Sequence, residues 1–279
     1  MGTNIFGGQY IQTMRYFVLR FLWPHMDTRH VPTAPLPGAS CCDAAAQNPF
    51  CLPHSPLRDV CERLQDIAQS AIRIQKGDPL FEAGQPAHKL YLIGTGSFKT
   101  ILGSPDGRQQ ILGFHFPSEI LGLESFATRT YSTDAVALED GEASAIDMVA
   151  LELCARQLPV LQHQIHCLIG NCLENAQRTQ FALGSMHAAE RLAYFLLDLS
   201  DRFKARGLPG DALNLSMSRE ELGSFLGLKL ETISRLMTHF DEIGLLQVHL
   251  RQVRILDRAR LSRLLDQTGD AASLNPRHA

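Results

Sequence analysis

The sequence predicts an α+β chain: an antiparallel β-barrel, then a long helix, then two short helices and a β-ribbon. Three observations carry this. Short alternating runs separated by Gly and Asp turns fill residues 49–155. Apolar residues then step at helical spacing from Leu161 to Leu183. Finally, Leu215–Ile255 reads as helix, tight turn, helix and two short strands.

Bulk properties set the limits. The chain has 279 residues, is 45% hydrophobic and 20% charged, and carries net charge −3. A pI near 6.4 argues against general polyanion binding, so any nucleic-acid contact must be local. Seven cysteines, at 41, 42, 51, 61, 154, 167 and 172, are an odd number. Without a secretory signal they point to a reducing cytoplasm.

Residues 1–48 are expected to be an extension, disordered or partly non-native. The apolar stretch 5–23 is broken by Arg15, Arg20 and two glycines, and no small-residue cleavage site follows. It is too interrupted to span a membrane, which leaves an interfacial anchor or an upstream extension ahead of Met26. The piece opening at Met26 is Pro-rich and of disordered composition.

The barrel is expected over residues 49–155. Its strand candidates are residues 72–74, 90–94, 97–103, 109–116 and 142–147. The turns between them include Lys76-Gly77-Asp78, Gly94-Thr95-Gly96, Pro105-Asp106-Gly107 and Asp140-Gly141. Regular short strands of this kind suggest an antiparallel sandwich or barrel.

A helix over residues 156–185 follows. Leu161, Ile165, Leu168, Cys172, Ala176, Thr179 and Leu183 step by four, three, four, four, three and four, a coiled-coil-like seam. None of them is charged, and a charge would oppose pairing of two copies. The seam is expected to join a homodimer without help from a metal cluster. The other use of such a face is to cover the chain's own barrel.

Residues 186–265 form the last domain, followed by a tail at 266–279. Residues 187–203 give an amphipathic helix, and Leu213-Asn214-Leu215 a strand. Ser218 with Glu221 three residues on is a capping box that opens the next helix. Leu222, Phe225 and Leu226 supply its apolar stripe, and Gly227 stops it. The second helix starts near Leu230, with Ile233, Leu236, Met237 and Phe240 on one face and Glu231, Ser234, Arg235, Thr238 and His239 on the other. Gly244 ends it, and strands Leu246-Gln247-Val248 and Val253-Arg254-Ile255 complete a winged helix-turn-helix. Between Ser216 and Arg263 there are eight Lys/Arg against six Asp/Glu, a local basic skew in an acidic chain. The second helix is the part that a DNA major groove would admit. A plain helical hairpin on a small sheet is the bland alternative.

The order barrel, seam helix, winged helix-turn-helix resembles the CRP/FNR family of bacterial transcription regulators over about residues 49–265, with the FNR branch nearest. The motifs that carry the resemblance are Ile74-Gln75-Lys76-Gly77, Leu80-Phe81-Glu82-Ala83-Gly84, Gly113-Phe114-His115, Ala189-Glu190-Arg191-Leu192, Leu226-Gly227-Leu228 and Glu231-Thr232-Ile233-Ser234-Arg235-Leu236. The resemblance implies a cyclic-nucleotide-binding-like jelly roll for the barrel. It further implies double-stranded DNA and RNA polymerase as partners, no membrane, and anaerobic, redox or energy-metabolism control. Glu231, Ser234 and Arg235 would read a TTGAT half-site within a TTGAT-N4-ATCAA palindrome. The chemistry agrees. Arg235 can donate twice to guanine, Glu231 can accept from a cytosine amino group, and Ser234 can touch thymine or phosphate. An intrahelical Glu231–Arg235 ion pair is the competing use of these two residues. Lys229, Arg251 and Arg254 are candidate backbone contacts.

Cyclic-AMP binders of the family carry a Gly-Glu pair and, further on, an Arg-Ser pair. The matching stretch here is Ser118–Glu124 followed by Arg129–Asp134. A phosphate facing Thr133 and Asp134 would meet no cation, so cyclic AMP is not expected. FNR itself holds a 4Fe–4S cluster on four cysteines. With Cys51 set at the third position, Cys42 falls at the first, Ala45 at the second, and Ser144 where the barrel cysteine belongs. Three readings stay open: an unconventional cluster on Cys41, Cys42, Cys51 and Cys61, a thiol redox pair, or a regulator with no cofactor. Cys154, Cys167 and Cys172 are expected to be buried apolar residues. His163 and His166 flank the seam as surface histidines or, alternatively, haem ligands.

No nucleophile elbow, P-loop or metal-ligand spacing supports an enzyme. The alternative to a DNA-binding regulator is an Fe–S or thiol redox sensor module that acts mainly through protein partners.

Overall fold

A computed structural model describes residues 68–266. The extension and residues 49–67, with Cys41, Cys42, Cys51 and Cys61, lie outside the described residues, as does the tail beyond 266. The chain folds as two units. The first holds the described residues up to Phe98, His115–Gly170 and Ala205–Gly207. The second holds Lys99–Phe114, Asn171–Lys204 and the described residues from Leu208.

Among the described residues, eight strands precede the first α-helix. They are β1 (Ala68–Ile74), β2 (Pro79–Phe81), β3 (Lys89–Thr95), β4 (Phe98–Gly103), β5 (Gln109–His115), β6 (Ile120–Leu121), β7 (Asp134–Ala137) and β8 (Gly141–Asp147). One sheet runs β1-β8-β3-β6 and the other β2-β7-β4-β5. β3 buries Leu90 and Ile93, three residues apart, so it does not keep a strict period of two, and its register against β8 shifts between Ile93 and Thr95. Gly141 lets β3 and β8 close on each other, because a β-carbon there would stand 2.4 Å from the Thr95 carbonyl oxygen. Five of these strands coincide with those expected from the sequence; β2, β6 and β7, two to four residues long, are too short to give a period-two signal.

Two helices follow. α1 (Met148–Gln157) is capped by Asp147, whose carboxylate accepts from the Ala150 N–H at 2.8 Å. The seam helix α2 (Pro159–Ser185) starts afresh at a proline, after Leu158 leaves the helical region at φ −129°. The helix expected from 156 thus begins three residues later, and ten residues before Leu158 form a helix of their own.

The seam needs correction in its first half. Leu161 and Ile165 are buried in the chain's own core with Leu90, Ile93, Phe98, Met148 and Leu151, and Leu168 packs against that cluster. These residues are spent on the barrel and are not available to a second copy. Further along α2, Cys172 and Ala176 are exposed and Thr179 and Leu183 half-buried. Ile169 and Leu173 are exposed beside them.

The second unit contains α3 (Ala188–Ala205), β9 (Ala212–Asn214), α4 (Arg219–Leu226), α5 (Leu230–Glu242), β10 (Leu246–His249), β11 (Gln252–Ile255) and α6 (Arg258–Asp266). Its sheet runs β10-β11-β9, all antiparallel. Leu192, Leu196 and Leu199 of α3 are buried with Leu222, Ile233, Leu236 and Phe240. Among the described residues, no helix is long and apolar enough to cross a membrane.

Candidate nucleic-acid interface

The helix-turn-helix is held from three sides. Ser218 Oγ accepts from the Glu221 N–H at 3.1 Å, and the Glu221 carboxylate accepts from the Ser218 N–H at 2.7 Å. This reciprocal cap sets where α4 begins. Gly227 ends it at φ 63°, a conformation that favours glycine. The turn is closed by a contact that the sequence reading missed. A β-carbon on Gly223 would lie 2.6 Å from the Leu228 carbonyl oxygen, so the two helices meet only over a glycine.

Arg191 is the second brace. Its guanidinium donates to the Met186 carbonyl at 2.9 Å and to the Leu226 carbonyl, at the end of α4, at 3.1 Å. The charge thus sits against a helix C-terminus, where a cation is favoured. Its neighbour Glu190 is buried and accepts from the His187 N–H at 2.7 Å. The motif Ala189-Glu190-Arg191-Leu192 is therefore a clamp: the Glu caps α3 and the Arg holds α4.

The third brace is the hairpin of β4 and β5. Lys99 Nζ donates to Glu221 at 2.7 Å, and the Ile111 N–H donates to Ser224 Oγ at 3.2 Å. Phe114, Phe195 and Phe225 meet edge-to-face, with ring centroids 5.3–6.0 Å apart. Arg202 donates to the Phe114 carbonyl at 2.7 Å. Burial works against ionisation of Glu221. The bonds from Lys99 and Ser218 outweigh it and hold the carboxyl below its ordinary value. Nothing in the local sequence announces this partner, because Lys99 and Glu221 are 122 residues apart.

On this support α5 buries Ile233, Leu236, Met237 and Phe240. The opposite face carries the predicted readers: Glu231 and Arg235 are exposed and Ser234 half-buried. Three- and four-residue spacing puts them on one side of the helix. None of the three side chains has a hydrogen bond or ion pair among the described residues. Lys229, at the N-cap position of α5, is exposed and likewise unengaged. The wing arginines differ. Arg251 donates to the Ser216 carbonyl at 3.1 Å, and Arg254 lies 3.7 Å from Asp211. Both are exposed, yet both also serve to fasten the wing.

The positions that would meet a cyclic phosphate are taken up internally. Thr133 donates to Glu124 at 3.2 Å, and Asp134 accepts from the Ala83 N–H at 2.7 Å. Arg129, the one cation of that stretch, is paired with Glu152 at 2.5 Å. Tyr131 stacks on Phe81, centroids 4.0 Å apart, and its hydroxyl donates to the Lys89 carbonyl at 2.6 Å. Burial pushes the Tyr131 phenol well above its ordinary value.

The four cysteines of the expected unconventional cluster lie outside the described residues, so the family-type cluster pattern is represented here only at its barrel position. Ser144, where a barrel thiolate belongs, is half-buried in β8, opposite Ala71 and Leu92, and offers a hard hydroxyl oxygen instead. Among the described residues there is no group of three or more His, Cys, Asp or Glu placed to hold a metal. The three described cysteines are less buried than expected: Cys154 and Cys167 are half-buried and Cys172 is exposed. Cys167 Sγ lies 3.5 Å from His163 Nε2, one helical turn away.

Known proteins place this geometry. Residues 190–264 match the Crp-like helix-turn-helix domain family, and residues 71–157 the cyclic nucleotide-binding domain family. The transcriptional regulatory protein btr of Bordetella pertussis is 36% identical over 239 residues, which is 86% of this chain and 98% of that one. The transcriptional activator protein anr of Pseudomonas aeruginosa is 37% identical over 229 residues, 82% of this chain and 93% of its own. Among solved structures, FixK2 from Bradyrhizobium japonicum is similar with a TM-score of 0.66 and 29% identity, over 71% of this chain and 97% of that one.

Proposed function

The chain belongs to the CRP/FNR family of DNA-binding transcription regulators, and from that membership we propose that it binds a TTGAT-N4-ATCAA-like palindrome as a homodimer. The observation that carries this reading is the unengaged triplet Glu231, Ser234 and Arg235 on the outer face of α5. Arg235 pairs with the guanine of the half-site and Glu231 with a cytosine amino group on the opposite strand. Ser234 contacts thymine or phosphate. Lys229 neutralises a phosphate next to them.

The dimer forms along the later part of α2, through Ile169, Cys172, Leu173, Ala176 and Leu183. These lie at helical spacing, and none of them carries a charge. Two-fold symmetry then matches two recognition helices to a palindrome. RNA polymerase is the further partner. Relatives named for anaerobic control, such as the anaerobic regulatory protein of Haemophilus influenzae, support a role in anaerobic, redox or energy-metabolism regulation. Neither cyclic AMP nor a family-type 4Fe–4S cluster is the signal. The internal partners of Thr133, Asp134 and Arg129, and the hydroxyl of Ser144, support that part of the reading.

The test is an equilibrium titration of purified full-length protein on the palindrome and on a scrambled duplex. The expected result is one dimer per palindrome, with affinity about a thousandfold or more above the scrambled site. Equal binding to both duplexes overturns the proposal.

A further inference from the structure

The tip of the wing carries a leucine where glycine would be easier. β10 and β11 are joined by Leu250 and Arg251, between the paired His249 and Gln252. Leu250 has φ 55°, in the left-handed region that any side chain disfavours relative to glycine. It is also 82% exposed, the most exposed large apolar residue among those described. The position is penalised twice, once by its backbone and once by water. Backbone strain held at an exposed residue of the tip points to a contact made outside the protomer.

The surroundings say which contact. Arg251 ties the turn to the Ser216 carbonyl, two residues before the capping Ser218. Leu250 and Arg251 line one depression together with Ser218 and Arg219 at the start of α4. In a helix-turn-helix the first helix crosses the DNA backbone. A turn held beside that helix's N-terminus therefore meets the backbone next to the major groove that α5 enters. Beyond that strand lies the minor groove. His249 and Arg251 flank Leu250 in sequence and suit the phosphates along its rim.

We propose that Leu250 enters the minor groove flanking the half-site and packs against its sugar walls. Recognition then extends to base pairs outside TTGAT, through groove width and ease of deformation. This rests on the DNA-binding reading above.

Two variants of the full chain test it, Leu250→Gly and Leu250→Lys, each titrated on palindromes with A·T-rich and G·C-rich flanks. Relief of strain is expected to raise the Tm of Leu250→Gly by about 2–4 °C. The same change should weaken DNA binding about tenfold, the worth of burying roughly half a leucine side chain. Leu250→Lys should also bind more weakly, and both variants should lose any preference between flanks. Leu250→Gly binding as tightly as wild type overturns the proposal. So does Leu250→Lys binding equally or more tightly, because that marks an ordinary phosphate contact. If the wild type fails to distinguish the palindrome from a scrambled duplex, the DNA-binding reading falls and this inference with it.

Discussion

Glu231 and Arg235 stand one turn apart on α5 without pairing, whereas Glu174 and Arg178, at the same spacing on α2, are joined at 2.5 Å. An i,i+4 ion pair is the ordinary use of such residues on a solvent face, worth a few tenths of a kcal/mol. Leaving it unmade keeps five guanidinium donors and a carboxylate open to an outside partner. The bland alternative for this helix face, a self-satisfied surface, is therefore not what these two side chains do.

Glu231→Ala should weaken binding to the palindrome by about 1–3 kcal/mol and relax selectivity at one base pair. Thermal stability should stay within about 0.5 kcal/mol of wild type, since Glu231 holds nothing within the protomer. Titration and a melting curve on the same preparation check both halves. A variant that melts early would make Glu231 a structural residue.

Gly223→Ala should cost about 1–3 kcal/mol of stability, because its β-carbon would meet the Leu228 carbonyl at 2.6 Å and backbone must move. DNA binding should fall with it, since the same turn aims α5. Denaturant unfolding measures the first effect. An unchanged midpoint would mean that the turn is looser than the geometry states.

The acid limb of stability should depend on Glu221. Its carboxyl titrates below the ordinary value of 4.5 in the folded chain, since the bonds from Lys99 and Ser218 outweigh burial. A depressed carboxyl contributes stability in full above its unfolded value, and loses it as pH falls through the folded one. Glu221→Gln should therefore flatten the fall in stability below about pH 4.5, while Lys99→Met should lower stability at neutral pH. Melting temperatures across that range would show it, and parallel wild-type and Glu221→Gln curves would refute it.

Substitution at two points of α2 should have different effects. Ile165→Asp places a charge in the barrel core, where Ile165 is 8% exposed, and should unfold that unit. Ala176→Asp should leave each chain folded and give a monomer. Sedimentation of protein purified in air should show the wild type as a dimer. A wild-type monomer would remove the seam from the account.

Much of this was legible in the sequence where the signal is local. The Ser218–Glu221 box, the Gly227 stop and the period of α5 are fixed by neighbours three or four residues apart, and the structure places them where the pattern does. The period of α2 was equally clear, but period alone does not say what covers a face. Leu161 and Ile165 turned out to cover the barrel, a choice made by contacts far along the chain. Lys99 with Glu221, and Gly223 against Leu228, escaped for the same reason: one is a long-range pair and the other a clash that only a closed turn reveals.

The assignment of Arg235 to the guanine of the half-site underlies the proposed recognition. It is tested most directly by binding of wild type and Arg235→Ala to the TTGAT palindrome and to one whose G·C pairs are changed to A·T. Wild type should lose about 1–3 kcal/mol per changed half-site, and Arg235→Ala, already weaker on the matched site, should lose little more. If Arg235→Ala discriminates between the two duplexes as well as wild type does, another residue reads that base and the assignment is wrong.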